Sequence, residues 1–244
     1  TTAATEAELL VINAATTGNI TLNSGTIAAN YSESAVNLAN MFSGTITEHT
    51  GVLTISGATA ATVAELIAIN AATTGTPVLN AATNAANFSD TAANLTAGFL
   101  GTTSHTGTLT VTGAAATVAQ ANLLDAITQG VVTATIEGDS AADLATLTGT
   151  TGVYTVVQNG TVVATIAELI AINAATTGGI TINSNTIANN YSDTAANLVA
   201  AFTGITTHTG TMTISGTTAA TEAELLVINA ATTGAITLNA QTIA

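Results

Sequence analysis

The 244-residue chain has no Lys, no Arg, no Cys, no Trp and a single Pro. Its only side chains able to carry a positive charge are three histidines. Each absence removes a class of function. Binding a nucleic-acid backbone needs Lys or Arg to neutralise phosphates, so nucleic acid is excluded as a partner. A phosphate loop of the Walker type loses its lysine, and anionic membrane surfaces lose their attraction. Without thiols there are no disulfides, iron–sulfur clusters or cysteine zinc sites. No apolar run approaches the ~18 residues of a membrane span, and the opening residues do not read as a signal peptide.

Charge itself is scarce. Charged residues make up 6% of the chain, against roughly 25% in an ordinary globular domain. All of them are acidic, giving a formal net charge of −14 that repels acidic partners. Low charge does not mean disorder here, because 47% of the residues are hydrophobic. Thr and Ala each supply about a fifth of the sequence, far above average usage.

What the sequence does have is repetition. Segment A, TVAELIAINAATTG at 62–75, recurs at 5–18, 165–178 and 221–234, with a diverged copy at 117–130. Segment B, SDTAANLVAAFTG at 192–204, recurs at 32–44 and 89–101, and shortened at 139–149. A and B alternate throughout. Glu8, Glu65, Gln120, Glu168 and Glu224 hold one position of A, at spacings of 57, 55, 48 and 56. Residues 1–28 and 217–244 differ only at Asn19/Ala235, Ser24/Ala240 and Gly25/Gln241, which indicates a higher-order repeat of 216 residues. The whole of 1–244 therefore reads as one continuous array. Solenoid ends normally carry polar caps. Both ends here read as ordinary repeat, so the array is expected to continue or to stack on another copy.

Both segments predict short helices. A opens with T-x-x-E (Thr5/Glu8, Thr62/Glu65, Thr165/Glu168, Thr221/Glu224), the signature of a capping box. B opens with Ser-Asp or Ser-Glu, a cap plus a negative charge at the positive end of the helix dipole. Each helix is expected to stop at a left-handed Gly. Between the helices, TLTVT (108–112), TMTIS (211–215) and VLTIS (52–56) alternate hydroxyl and apolar residues, as half-buried strands do. Asn159-Gly160, between YTVVQ and TVVAT, is a hairpin signal, and Ser184-Asn185 is a weaker one. Two architectures suit an α/β repeat of about 27 residues. One is a ββα unit with its helices on one face of a long sheet; the other is a coil of one strand and one helix. Strands lie ~4.8 Å apart whereas packed helices need 8–10 Å, so one helix per two strands fits without curvature, and ββα is the expectation.

The candidate chemical groups are few. Ten of the fourteen acids fall in helix first turns: Glu6, Glu8, Glu65, Glu168, Glu222 and Glu224 in A, and Glu33, Asp90, Asp139 and Asp193 in B. The remainder (Glu48, Asp125, Glu137, Asp143) show no pairing for acid/base chemistry. Asp139-Ser-Ala-Ala-Asp143 is the nearest approach to a calcium loop and is too sparse in ligands. His49, His105 and His208 occupy equivalent places where turns are expected. They read as edge residues, with metal bridging between neighbouring chains as the sharper alternative. No nucleophile elbow and no His–acid pair appears. The sequons at Asn30, Asn87 and Asn190 precede the B caps and read as structural. No catalytic, cofactor or metal residue is expected.

The elements AELIAINAATTG (64–75), SDTAANL (192–198) and the TGT–TIS strands resemble the Ala/Thr/Asp-rich repeat arrays of giant secreted and cell-surface proteins of cyanobacteria and other marine bacteria. The resemblance implies an extracellular or cell-surface structural or adhesive role, and no enzyme activity. The complete absence of Lys and Arg is a departure from it. The leading expectation is a structural component of a filament, sheath or surface layer that self-associates end to end. The alternatives are the stalk of an adhesin or phage fibre, and an ice-binding protein using the Thr face.

Overall fold

The computed structural model describes residues 1–43, 49–149 and 152–243. Gly44 and Glu48, both named above, lie outside the described residues, as does Ala244. The chain forms two compact units, Thr1–Gly113 with Leu123–Val131, and Ala114–Asn122 with Val132–Ala244.

In the first unit the order is α1 (Glu6–Ala15), α2 (Ser24–Ala28), β1 (Tyr31–Glu33), α3 (Ala35–Met41), β2 (Leu53–Ile55), α4 (Val63–Ala72), α5 (Ala81–Ala85), β3 (Phe88–Asp90), α6 (Ala92–Gly98) and β4 (Leu109–Val111). Helix α7 (Val118–Ile127) lends residues to both units. The second unit continues with β5 (Val132–Gly138), α8 (Ala141–Leu144), β6 (Val153–Gln158), α9 (Ile166–Ala175), β7 (Ile180–Thr181), α10 (Ser184–Ala188), β8 (Tyr191–Asp193), α11 (Ala195–Phe202), β9 (Met212–Ile214), α12 (Glu222–Ala231), β10 (Ile236–Thr237) and α13 (Ala240–Ile243).

The chain is α/β, and the strands named next pair in parallel. Tyr31 faces Leu53 in β1–β2, Phe88 faces Leu109 in β3–β4, and Val156 of β6 lies between Ile136 and Ile180. Met212 of β9 likewise lies between Tyr191 and Ile236. Parallel neighbours need a crossover, and one A or B helix supplies it. This corrects the ββα expectation, whose hairpins would pair antiparallel. The Asn159-Gly160 hairpin does not form: β6 ends at Gln158, and residues 161–165 are not a strand. Asn159 N–H instead donates to Gly138 O at 2.9 Å, and a Cβ on Gly160 would lie 1.7 Å from Asp139 O, so this turn lies flat against a neighbouring loop. Ser184-Asn185 opens a helix, α10, rather than a turn.

A Cβ on Gly98 of α6 would meet Leu66 Cβ of α4 at 3.3 Å, so the helix faces approach closely. A and B helices pack side by side in chain order, α1 on α3, α3 on α4 and α4 on α6 in one unit, α8 on α9, α9 on α11 and α11 on α12 in the other. The B helices also pack against the strands, bringing Leu38, Leu95 and Leu198 to full burial. In β5 the alternation is regular: Val132, Ala134, Ile136 and Gly138 are buried, and Thr133, Thr135 and Glu137 are exposed.

The four expected capping boxes are all present, at Thr5, Thr62, Thr165 and Thr221. Gln120 takes the acid's place at Thr117, accepting Thr117 N–H at 3.0 Å. The B caps sit two residues later than expected: Ser34, Thr91 and Thr194 cap α3, α6 and α11, while Ser32, Ser89 and Ser192 lie in strands. The preceding carboxylates accept the cap N–H, Asp90 at 2.7 Å and Asp193 at 2.7 Å. The glycines divide by role. Gly101 and Gly204, after B helices, are left-handed at φ +77° and +78°. Those after A helices are not, and the A helices end at an extended Thr.

Candidate functional site: the buried histidines and an acidic hollow

The three histidines are fully buried, which corrects both the edge-turn reading and inter-chain metal bridging through them. Each packs at a tilt against two aromatic rings, one from a strand and one at the C-terminal end of the following B helix. His105 lies 5.5 Å from Phe88 and 4.8 Å from Phe99, centroid to centroid; His208 lies 5.5 Å from Tyr191 and 5.0 Å from Phe202. His49 repeats this against Tyr31 and Phe42. The histidine rings complete these buried aromatic clusters in the core.

Each Nε2 lies within hydrogen-bond reach of a backbone oxygen: Ala29 at 2.9 Å, Ala86 at 2.9 Å and Asn189 at 2.8 Å. A carbonyl can only accept, so Nε2 carries the proton. At His105 and His208 the Nδ1 lies 3.0 Å from the hydroxyl of Thr128 and of Thr232. Each hydroxyl has a single proton and also lies within reach of a carbonyl that can only accept, Gly107 O at 2.7 Å and Gly210 O at 3.0 Å, so carbonyl and imidazole compete for it. Each Thr also accepts a backbone N–H two residues on, Gly130 and Gly234, at 2.9 Å. His49 Nδ1 has no hydrogen-bond partner among the described residues. Burial, the largest influence, holds all three imidazoles below their ordinary pKa, opposed only in part by the hydrogen bonds to the Ala29, Ala86 and Asn189 carbonyls.

A hydroxyl beside an imidazole is half of a nucleophile–base pair, and sequence reasoning missed it because the partners are 23 and 24 residues apart. The aromatic spacing of eleven (31/42, 88/99, 191/202), with a His following each pair, was the available signal. Here the pair joins two strand segments. It is sealed from solvent, and Nε2 is held by a carbonyl rather than open to a substrate.

The acids behave as caps. Glu8 and Glu224 are held below the ordinary carboxylate range, first by the backbone N–H of the capping Thr and then by its hydroxyl. Glu33, Asp90 and Asp193 accept from an Asn one turn on, Asn37, Asn94 and Asn197. Asp125 is raised by burial. Glu137, Asp139 and Asp143 border one hollow of the second unit with Thr117, Ser140 and Asn159. Asn159 donates to Glu137 at 3.2 Å, and Asp143 N–H donates to Ser140 in a cap. No group of three or more ligating side chains suited to a metal occurs among the described residues, and none of the described helices is long and apolar enough to cross a membrane.

The sequon asparagines are structural, each accepting the N–H of the residue just before a strand: Val52 at 2.8 Å, Thr108 at 2.9 Å and Thr211 at 2.8 Å. A second unforeseen device is N-x-x-T, at Asn23, Asn80, Asn183 and Asn239. The Asn caps a short helix, and the Thr hydroxyl three residues on accepts a backbone N–H from 22 residues upstream, at Ala4, Ala61, Ala164 and Ala220. Comparisons with protein families, with curated proteins and with solved structures gave no match.

Proposed function

We propose that the chain is a structural component of an extracellular filament, sheath or surface layer, built as a repeat array of parallel strands and crossover helices that self-associates. One observation carries this reading: the recurring polar residues are spent on holding successive coils together. Thr73, Thr128, Thr176 and Thr232 each bond the preceding coil from the same position. Asn70 and Asn173 of A helices donate to carbonyls at the C-terminal end of the next B helix, work that Lys or Arg often does elsewhere. Few polar side chains remain that converge on a common point where a substrate could bind. An array lacking Lys and Arg also offers trypsin no cleavage site, which suits an exposed matrix. Negative-stain imaging of the pure protein tests the reading. Filaments or sheets are expected; short monomeric rods at every concentration would overturn it in favour of a stalk.

A further inference from the structure

The repeat copies are unequal at one place in the first unit. A hollow of about 410 Å³ is walled by α6, the turn after it and the last part of α7, and all of its lining residues belong to that unit. Three of them depart from the repeat toward larger apolar side chains. Leu100 stands where the equivalent positions hold Ser43 and Thr203, Leu123 where they hold Ala68, Ala171, Val11 and Val227, and Ile127 where they hold Ala15, Ala72, Ala175 and Ala231. Leu100 is 68% exposed and Leu123 56%, so the added apolar surface does not serve the core. Thr102 belongs to the same wall. It is 7% exposed, its backbone N–H is taken by Phe99 O at 2.9 Å, and its hydroxyl has no hydrogen-bond partner among the described residues. A buried, unbonded hydroxyl costs stability, and Ile205 fills the equivalent place in the second unit without one. A Thr side chain turns between staggered positions that exchange hydroxyl and methyl, and this hydroxyl breaks no bond among the described residues when it turns.

We propose that this hollow binds a small, neutral, apolar molecule ending in one hydroxyl, of the fatty-alcohol class, with Thr102 as its hydrogen-bonding contact. The size is that of a ligand site: such pockets hold about 300–1,000 Å³ and are mostly apolar, with a few placed polar groups. The wall selects the class of ligand. Phe99, Leu100, Leu123 and Ile127 supply apolar contact. Thr96, the other lining hydroxyl on α6, already donates to Ala92 O at 2.9 Å within its own helix. Thr102 is left to bond the ligand, and a hydroxyl can both donate to and accept from an alcohol. A carboxylate or phosphate finds no partner. No charged residue lines the hollow, the chain has no Lys or Arg, and its net charge of −14 repels anions. A wholly apolar occupant would leave the Thr102 hydroxyl as unsatisfied as before. The site goes beyond the structural reading above and does not depend on it, because a single chain holds the whole wall.

Octanol is the probe, and the leucine methyl resonances of the full-length protein are the readout. Octanol should shift the Leu100 and Leu123 methyls saturably, and octanoate at the same concentration should leave them in place. Thr102→Val keeps the shape of the wall but removes the hydroxyl, and should weaken octanol about fivefold, the worth of one hydrogen bond. Leu100→Thr/Leu123→Ala gives both positions residues that equivalent repeats carry and should abolish saturable binding, with an unbroken urea transition showing that the fold is kept. Shifts that grow without saturating, or that spread over leucines remote from the hollow, would overturn the proposal. So would octanoate binding as tightly as octanol, or an octanol affinity that Thr102→Val leaves unchanged. Leu100 and Leu123 methyls that move on dilution of the protein alone would mean that another copy covers the hollow. That outcome would also overturn the site, while leaving the self-association reading intact.

Discussion

At the scale of the residue, hydroxyls and amides do what charge and cysteine do in other proteins. Thr165 shows the cost of losing one. Its hydroxyl accepts Glu168 N–H at 3.2 Å while the Glu168 carboxylate accepts Thr165 N–H at 2.7 Å. Thr165→Ala should lower stability by about 1 kcal/mol, read from urea unfolding. Thr102 offers the opposite change. Its hydroxyl is buried with no partner among the described residues, and Ile205 fills the equivalent place in the second unit behind the same turn, Thr102 N–H to Phe99 O and Ile205 N–H to Phe202 O. Thr102→Val should therefore raise stability, by about 1 kcal/mol. The histidines set the response to pH. They are neutral in the fold, whereas the unfolded chain takes up protons near the ordinary value of 6.5. The unfolded state binds more protons below that value, so stability falls as pH drops through it. Glu8 and Glu224 act later in the same direction. Their contribution is present above the ordinary 4.5 and is lost as pH falls through their lowered values. The urea midpoint should already be lower at pH 5.5 than at 7.5; an unchanged midpoint would contradict neutral, buried imidazoles.

At the scale of the element, the helices were legible and their pairing partners were not. T-x-x-E encodes both halves of a capping box within four residues, so Thr5, Thr62, Thr165 and Thr221 could be read directly. The B caps were misplaced because Ser-Asp-Thr offers two hydroxyls, and the choice is made by where the preceding strand ends. The strands were located, but hairpin and crossover share the same alternation, and Asn159-Gly160 satisfies a close backbone approach as well as a tight turn. His49, His105 and His208 looked like turn residues because the rings that bury them lie on other elements. Close approach also sorts the glycines by consequence. A Cβ on Gly107 would lie 1.9 Å from Ala86 O, while one on Gly179 meets nothing within 4 Å. Gly107→Ala should cost about 2–3 kcal/mol by forcing two segments apart, and Gly179→Ala should stay within about 0.5 kcal/mol. Paired unfolding curves of the two variants check the assignment.

At the scale of the whole molecule, stability comes from caps, tilted aromatic–histidine contacts and apolar faces. A chelator should leave the unfolding midpoint unchanged. A midpoint that tracks chelator concentration would reveal a cation among Glu137, Asp139 and Asp143. The proposal of a self-associating array of parallel strands stands or falls on the axial repeat of the assembled protein. A 216-residue period holds four A and four B helices. Its described residues hold nine strands, β1–β9, so parallel strands at ~4.8 Å give an assembled period of roughly 43 Å. Two antiparallel strands for each of the eight helices would give roughly 77 Å. A layer line near the shorter spacing, in fibre diffraction or in power spectra of imaged filaments, is the result expected. A layer line at the longer spacing, or a closed ring in place of an open filament, would contradict the account.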